Sequence, residues 1–424
     1  MKVDKREITY KFKSTTYRHH VVYLCDGEKK ILLSPFNLFL KDRASSSLET
    51  SARYAGNLCR FLNFILERYQ GDHDNFWRNA SNEDLREWQQ TQVRERDLIK
   101  NTKPSDKTIS DNAALIHDVY DWLKLNNFPI SMYLTTKDWR FNFKSESLLK
   151  HVRSQLSGRS VDHSSISAGF SRNGDRNKND FTIMSLTDRE MLLGAYKDPV
   201  YSACFMLALG TGMREEGICK MPYLGNGENF HIRPYPEILA EIGDKKTFEY
   251  SVIEKRKKRT VLVNLKAWEA VCHIYLPHYF IRRKLLQKKY PDINPDSVFF
   301  INRLGHPVTP KMISSMTYVA KQDLKDFPWS FHSARSWYAT QYMINNLSKN
   351  QLKAQFYNAA VEDGLRKQLG HSDIKTTYMH YIKMALVVSA LLDGSIGEKT
   401  WKDLEETADS VIINSKQNTF DFST

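Results

Sequence analysis

The sequence predicts a mainly α-helical chain of two domains, the second mixed α/β with a small antiparallel sheet. Three observations lead there. At 424 residues the chain exceeds the size at which one hydrophobic core keeps growing, so more than one domain is expected. Apolar residues recur at helical spacing through 31–140 and again from about 185, each run defining one buried helix face. Between 230 and 265 the period changes to two on either side of a basic cluster, KRKKR at 255–259, as in a hairpin with its cations at the tip.

In chain order, residues 1–30 hold two strand-like runs, EITYKFK and HVVYLC, expected as a hairpin or an N-terminal arm. From 31 to 140 the pattern is helical. Tyr54, Leu58, Phe61, Leu62 and Ile65 share one face, as do Ala113, Ile116, Tyr120 and Leu123. Thr50 or Ser51, and Ser110, are expected caps because short hydroxyl side chains accept from the free N–H groups of a helix start. Residues 141–175 are expected as a linker. The stretch 154–180 is rich in Ser, Gly, Asn and charge with few apolar anchors, and an ordered loop gripping phosphate is the alternative. A second domain, 176–384, opens on SLTDREMLLGAY, with Thr187 ahead of an acidic first turn. FEYSVIE and RTVLVNL then form the hairpin strands. Residues 385–424 hold a further apolar helix and a tail.

The formal net charge is +13, with basic residues clustered at 255–259 and 282–284, which favours a polyanionic partner, nucleic acid before an anionic membrane surface. No stretch reaches about 18 consecutive apolar residues, so no spanning helix is expected, and the start, MKVDKREITYKFK, lacks the apolar core of a secretory signal. Five cysteines, at 25, 59, 204, 219 and 272, are widely spaced and odd in number. Free thiols in a reducing cytoplasm follow, with neither a disulfide framework nor a zinc site. No cofactor or metal is expected.

Chemistry concentrates in the second half. TGMR (211–214), EKRKKRTVLV (254–263), FHSAR (331–335), LGHSD (369–373) and TTYMHY (376–381) place arginines, lysines, histidines and tyrosines in one series. Arginine offers a planar fork of donors to the non-bridging oxygens of a phosphate and favours a transition state in which charge builds there. A tyrosine hydroxyl, with a pKa near ~10, needs nearby cations and a proton acceptor to attack, and histidine is the natural acceptor. Each string alone also fits an ordinary helix end or a solvated face. Their joint order points to attack on a phosphodiester.

These strings in this order resemble the tyrosine recombinase and phage integrase family. The resemblance implies a DNA clamp made of a helical core-binding domain (31–140) and a catalytic domain (176–384), with 385–424 as an oligomerisation segment. It implies Arg214 and Arg335 as the phosphate clamp, His332 and His371 beside the same phosphate, Lys255 as the acid that protonates the leaving 5′ oxygen, and Tyr381 as nucleophile. Lys257 is the alternative acid and Tyr378 the alternative nucleophile. Arg256, Lys257, Lys258 and Arg259 are the implied DNA contacts. The family pattern carries an acid three residues after the first arginine. Here that position is Gly217, with Glu216 the nearest candidate. The implied partners are double-stranded DNA with specific recombination sites, a homotetramer assembled on it as two dimers, and an accessory DNA-bending protein; the implied place is the cytoplasm, on the nucleoid. The implied activity is cutting and rejoining DNA through a 3′-phosphotyrosyl intermediate to integrate, excise or transpose a mobile element. Hairpin telomere resolution, topoisomerase-like strand transfer and non-catalytic sequence-specific DNA binding are the alternatives.

Overall fold

The computed structural model describes residues 1–69, 75–140, 157–168, 184–254, 257–348, 358–370, 385 and 402–420. They fall into two compact units, Met1–Asn177 and Lys178–Thr424. Both are helix-rich and carry small antiparallel sheets, the expected fold class.

In the first unit, β1 (Lys2–Phe12), β2 (Thr15–Asp26) and β3 (Lys29–Leu32) form an antiparallel sheet in that order. These strands are part of the core and not a separate arm. Val3, Val22 and Leu24 are buried with the apolar faces of α1 (Ser34–Ala44), α2 (Leu48–Arg68) and α4 (Asp106–Leu125). Two amide side chains seal the junction by pairing with strand backbone in both directions. Val3 N–H donates to Asn63 Oδ1 at 2.7 Å while Asn63 Nδ2 donates to Val3 O at 2.8 Å, and Asn37 does the same for Val22.

The helix faces read from spacing are buried: Leu58, Phe61, Leu62 and Ile65 on α2, with Tyr54 half-buried at its edge, and Ala113, Ile116, Tyr120 and Leu123 on α4. The caps lie about one turn earlier than expected. Ser47 accepts from Thr50 N–H, and Ser105 from Thr108 N–H. Ser51 sits inside α2, buried, and accepts from His20 N–H at 2.7 Å. Sequence spacing fixes a face better than it fixes an end.

Part of the expected linker is ordered. β5 (Ser157–Val161) pairs antiparallel with β4 (Thr136–Arg140). A 3-10 turn, His163–Ile166, docks on α3 (Asn82–Leu98): Arg86 Nη2 donates to Ser165 O and Gln89 Nε2 to Ile166 O, both at 2.8 Å. One buried isoleucine and backbone carbonyls hold this turn, which a count of apolar residues does not detect.

His117 lies beneath that turn, with Nδ1 at 3.1 Å from His163 Nδ1 and Nε2 at 3.4 Å from Tyr133 O. The carbonyl can only accept, so Nε2 of His117 carries the proton and Nδ1 accepts from His163. Burial pulls the His117 pKa down to about 4, the nearby Tyr133 carbonyl opposing it. The unfolded chain therefore takes up this proton first as pH falls, and the contribution of neutral His117 is lost progressively below about 6.5 and gone below about 4. Hydrogen exchange in α4, corrected for intrinsic rates, should show less protection at pH 4.5 than at pH 7. His117→Gln should remove most of that difference, and an unchanged pH dependence in this variant would reject the assignment.

The second unit is built around α6 (Pro199–Thr211), in which every residue from Val200 to Thr211 is buried. A helix apolar all round belongs at the centre of a core. The long helix α9 (Leu265–Lys289) crosses it closely: a Cβ on Gly210 would fall 2.3 Å from Ala267 Cβ. Around this pair stand α5 (Leu186–Ala195), α7 (Glu215–Cys219), α8 (Glu237–Ile242), the hairpin β6 (Thr247–Glu254) and β7 (Lys257–Asn264), α10 (Pro310–Gln322), α11 (Phe331–Asn346), α12 (Ala359–Leu369) and α13 (Lys402–Phe420). Helix α5 is capped by Ser185, not Thr187, in a reciprocal box with Asp188.

Residues 402–420 of the expected oligomerisation segment pack within their own unit. Leu404, Ala408 and Ile412 of α13 are buried in its core, and Arg189 Nε donates to Thr407 Oγ1 at 2.9 Å. The Arg189 guanidinium also lies 4.6 Å from the Trp337 ring centroid.

Candidate functional site

Two left-handed turns frame the site. Helix α6 ends at Gly212 (φ 65°), and α12 ends at Gly370 (φ 65°). Both positions need glycine for space as well as for φ. A Cβ on Gly212 would meet Tyr338 Cδ1 at 2.7 Å and Leu369 Cδ2 at 2.8 Å, and one on Gly370 would meet Arg259 Cδ at 2.9 Å. The T-G and L-G strings thus bring the ends of two helices against each other. Gln368 ties both to the hairpin, its Nε2 donating to Thr211 O at 3.0 Å and Leu262 O at 2.8 Å while its Oε1 accepts from Leu262 N–H at 2.9 Å.

Three guanidinium groups converge on the C-terminal carbonyls of α12. Arg335, on the first turn of α11, is buried; it donates through Nη1 to Gly212 O at 2.6 Å and through Nη2 to Leu369 O. Arg214, at the start of α7, donates to the same Leu369 O at 3.4 Å and lies 3.5 Å from Glu254 Oε2. Its side chain is 23% exposed. Its long contacts leave it more open to an incoming anion than Arg335 is. Arg259 donates to Gln368 O and, through Nε and Nη2, to Glu254 Oε2 at 3.0 and 2.7 Å. The last carbonyls of a helix lack intrahelical partners and carry partial negative charge, so they hold the arginines in place. Three guanidinium groups against the single Glu254 carboxylate leave two net positive charges among these four side chains.

His332 is exposed on the first turn of α11, three residues before Arg335. Ser330 and Ser333 close the capping box that starts that turn. Lys257 and Lys258 are exposed on β7, and Lys258 pairs with Glu228. Arg259 differs from the expected DNA contact. It occupies the same strand face as the buried Val261 and Val263, because alternate residues of a strand point to one side, and burial lowers its pKa, with Glu254 opposing the shift. Lys255, Arg256, His371, Tyr378 and Tyr381 lie outside the described residues. Arg214, Arg335 and the carbonyl two residues before His371 are therefore brought together, with His332 on the helix that carries Arg335.

Sequence spacing missed Glu254. The acid against Arg214 is this residue, while Glu216 receives Lys220 Nζ at 2.7 Å. The signal was present: in FEYSVIE the inward positions are Phe248, Tyr250, Val252 and Glu254, and a carboxylate in that register requires a buried cation.

No protein-family model and no curated protein matches the chain. Among solved structures, it is similar to a lambda integrase (75–356) dimer bound to a core site, at 12% identity and a TM-score of 0.43, over 87% of this chain and 97% of that one. It is similar to the Tn1549 transposon integrase in complex with circular intermediate DNA, at 14% identity and 0.45, over 82% and 94%. It is also similar to the XerH site-specific recombinase bound to a palindromic substrate, at 15% identity and 0.45, over 82% and 81%. Likeness this distant leaves the chemistry to be argued from the chain's own side chains.

Proposed function

We propose that this chain is a tyrosine-type site-specific DNA recombinase that integrates, excises or transposes a mobile element. The observation that carries this reading is the convergence of Arg214 and Arg335, from two separate elements, on the carbonyl of Leu369, two residues before His371. Two guanidinium groups so placed can take a phosphate between them and stabilise the charge that builds on its non-bridging oxygens. In the proposed reaction the Tyr381 oxygen attacks phosphorus, with His332 receiving or directing its proton and His371 contacting the same phosphate. The bond to the 5′ oxygen breaks, and Lys255 protonates that leaving oxygen. The product is a 3′-phosphotyrosyl ester and a free 5′-hydroxyl. The ester conserves the energy of the broken bond, so a hydroxyl from another strand can reseal it without ATP or metal. The unit 1 helices serve as the core-binding domain, Lys257 and Lys258 with Arg256 contact the backbone, and the working assembly is a tetramer of two dimers on paired sites.

A suicide duplex carrying the chain's own target site tests this. Denaturation-resistant adduct should form without metal or nucleotide and map to Tyr381. Tyr381→Phe should abolish it while Tyr378→Phe retains it; the opposite pattern makes Tyr378 the nucleophile. Transfer between two sites supports recombination, and resealing into hairpins or relaxed circles supports the other strand transferases. No adduct at an authenticated site leaves a non-catalytic DNA-binding protein.

A further inference from the structure

Glu254 is sealed, with 2% of its side chain exposed, yet it lies among three valines and aromatics on the inward face of the hairpin. One of its oxygens, Oε2, holds Arg259 through two N–H groups and faces Arg214 at 3.5 Å. The other, Oε1, has no hydrogen-bond partner among the described residues. It projects over Gly217, where a Cβ would stand only 2.0 Å from it. Any larger residue at 217 would displace the carboxylate. A buried carboxylate costs more than a buried apolar side chain unless a partner requires it, and the side chains that face it here are guanidinium groups. Arg259 satisfies Gln368 O as well as Glu254, so it is fixed on both sides. Among the described residues Arg214 is held by long contacts, one of them to this carboxylate.

We propose that Glu254 is the positioning residue of the phosphate site, aiming Arg214 through Oε2 while Arg259 anchors the carboxylate, and that Gly217 is glycine to admit it. The proposal rests on the recombinase reading for its kinetic effect but not for its geometry. Because a Cβ at 217 points at Oε1, a carboxyl one bond beyond that Cβ falls where the Glu254 carboxylate now lies. The acid should therefore be transplantable: Gly217→Asp is harmful alone and corrective when Glu254 is removed.

The test is a four-protein cycle of wild type, Glu254→Ala, Gly217→Asp and the double variant, each measured by thermal melt, by DNA affinity and by adduct formation at saturating suicide duplex. Glu254→Ala should slow adduct formation about 100-fold, the scale of losing one well-aimed donor to a developing charge, with DNA affinity within about threefold because many other cations contact the backbone. Glu254→Gln, which keeps an acceptor without the charge, should fall between. The double variant should regain at least about tenfold over Glu254→Ala, a coupling expected only of residues sharing one space. A folded double variant no faster than Glu254→Ala overturns the proposal, as does Glu254→Ala at the wild-type rate. If wild type itself forms no adduct, the recombinase reading fails, and the placement is then decided by the melts: a double variant no more stable than either single variant overturns it.

Discussion

Arg335→Ala, in the proposed recombinase, is expected to reduce adduct formation by about a thousandfold at saturating DNA while leaving non-specific DNA affinity within about threefold, since the proposed clamp would lose a forked donor to a developing phosphate charge while the proposed backbone contacts elsewhere would persist. The magnitude follows from the two carbonyls this guanidinium joins, Gly212 O and Leu369 O. Without it the ends of α6 and α12 lose their shared donor, and Arg214 loses the neighbour with which it would form the clamp. Arg335→Lys is the informative control, because lysine restores the charge but not two donors in a fixed plane. It should recover folding before it recovers cleavage. An Arg335→Ala protein that is folded and cleaves within tenfold of wild type would falsify the assignment.

The largest loss of stability is expected at a position outside the proposed phosphate site. Asp198 Oδ1 accepts from Arg282 Nη1 at 2.7 Å, with each side chain 9% exposed. The same oxygen caps Val200 N–H at 3.1 Å, and Oδ2 accepts from Arg303 N–H at 3.0 Å. Removing one member of a buried ion pair strands the other charge, at a cost of about 3–5 kcal/mol. Asp198→Ala should therefore lower the urea-unfolding free energy of the second unit by that amount, and Asp198→Asn, which retains the cap, by less. A drop under about 1 kcal/mol in Asp198→Ala would show that Arg282 finds another partner, since that is the scale of an ordinary hydrogen bond.

Much of the fold was legible because burial leaves a period. The faces of α2 and α4, the switch to alternation at 247–264 and the apolar run of α6 are written in residue order. Helix starts were displaced because several hydroxyl residues stand near each one and only the backbone decides between Ser47 and Thr50, or Ser185 and Thr187. The ordered turn at 163–166 and the docking of the N-terminal strands on the helices escaped because side-chain amides and guanidinium groups hold them through backbone carbonyls, a bond any sequence offers. In the site, Arg214 and Arg335 were legible as motifs. Arg259 and Glu254 were legible only as a pair, since a charge on a strand's inner face has meaning once its partner across the hairpin is known.

The bond from Arg189 to Thr407 spans 218 positions, and that distance has a consequence for how the protein is made. Contacts between remote segments slow folding, and synthesis proceeds from the N-terminus. The first unit can complete its core while the second is still being translated. The second cannot, because Leu404, Ala408 and Ile412 belong to its interior and Arg189 waits beside Trp337 for the Thr407 hydroxyl of α13. Arg335 lies two positions before that tryptophan on the same helix. A nascent chain thus carries the arginines of the proposed phosphate clamp before their scaffold closes, and the proposed recombinase becomes competent to cut DNA only after α13 has been made and docked.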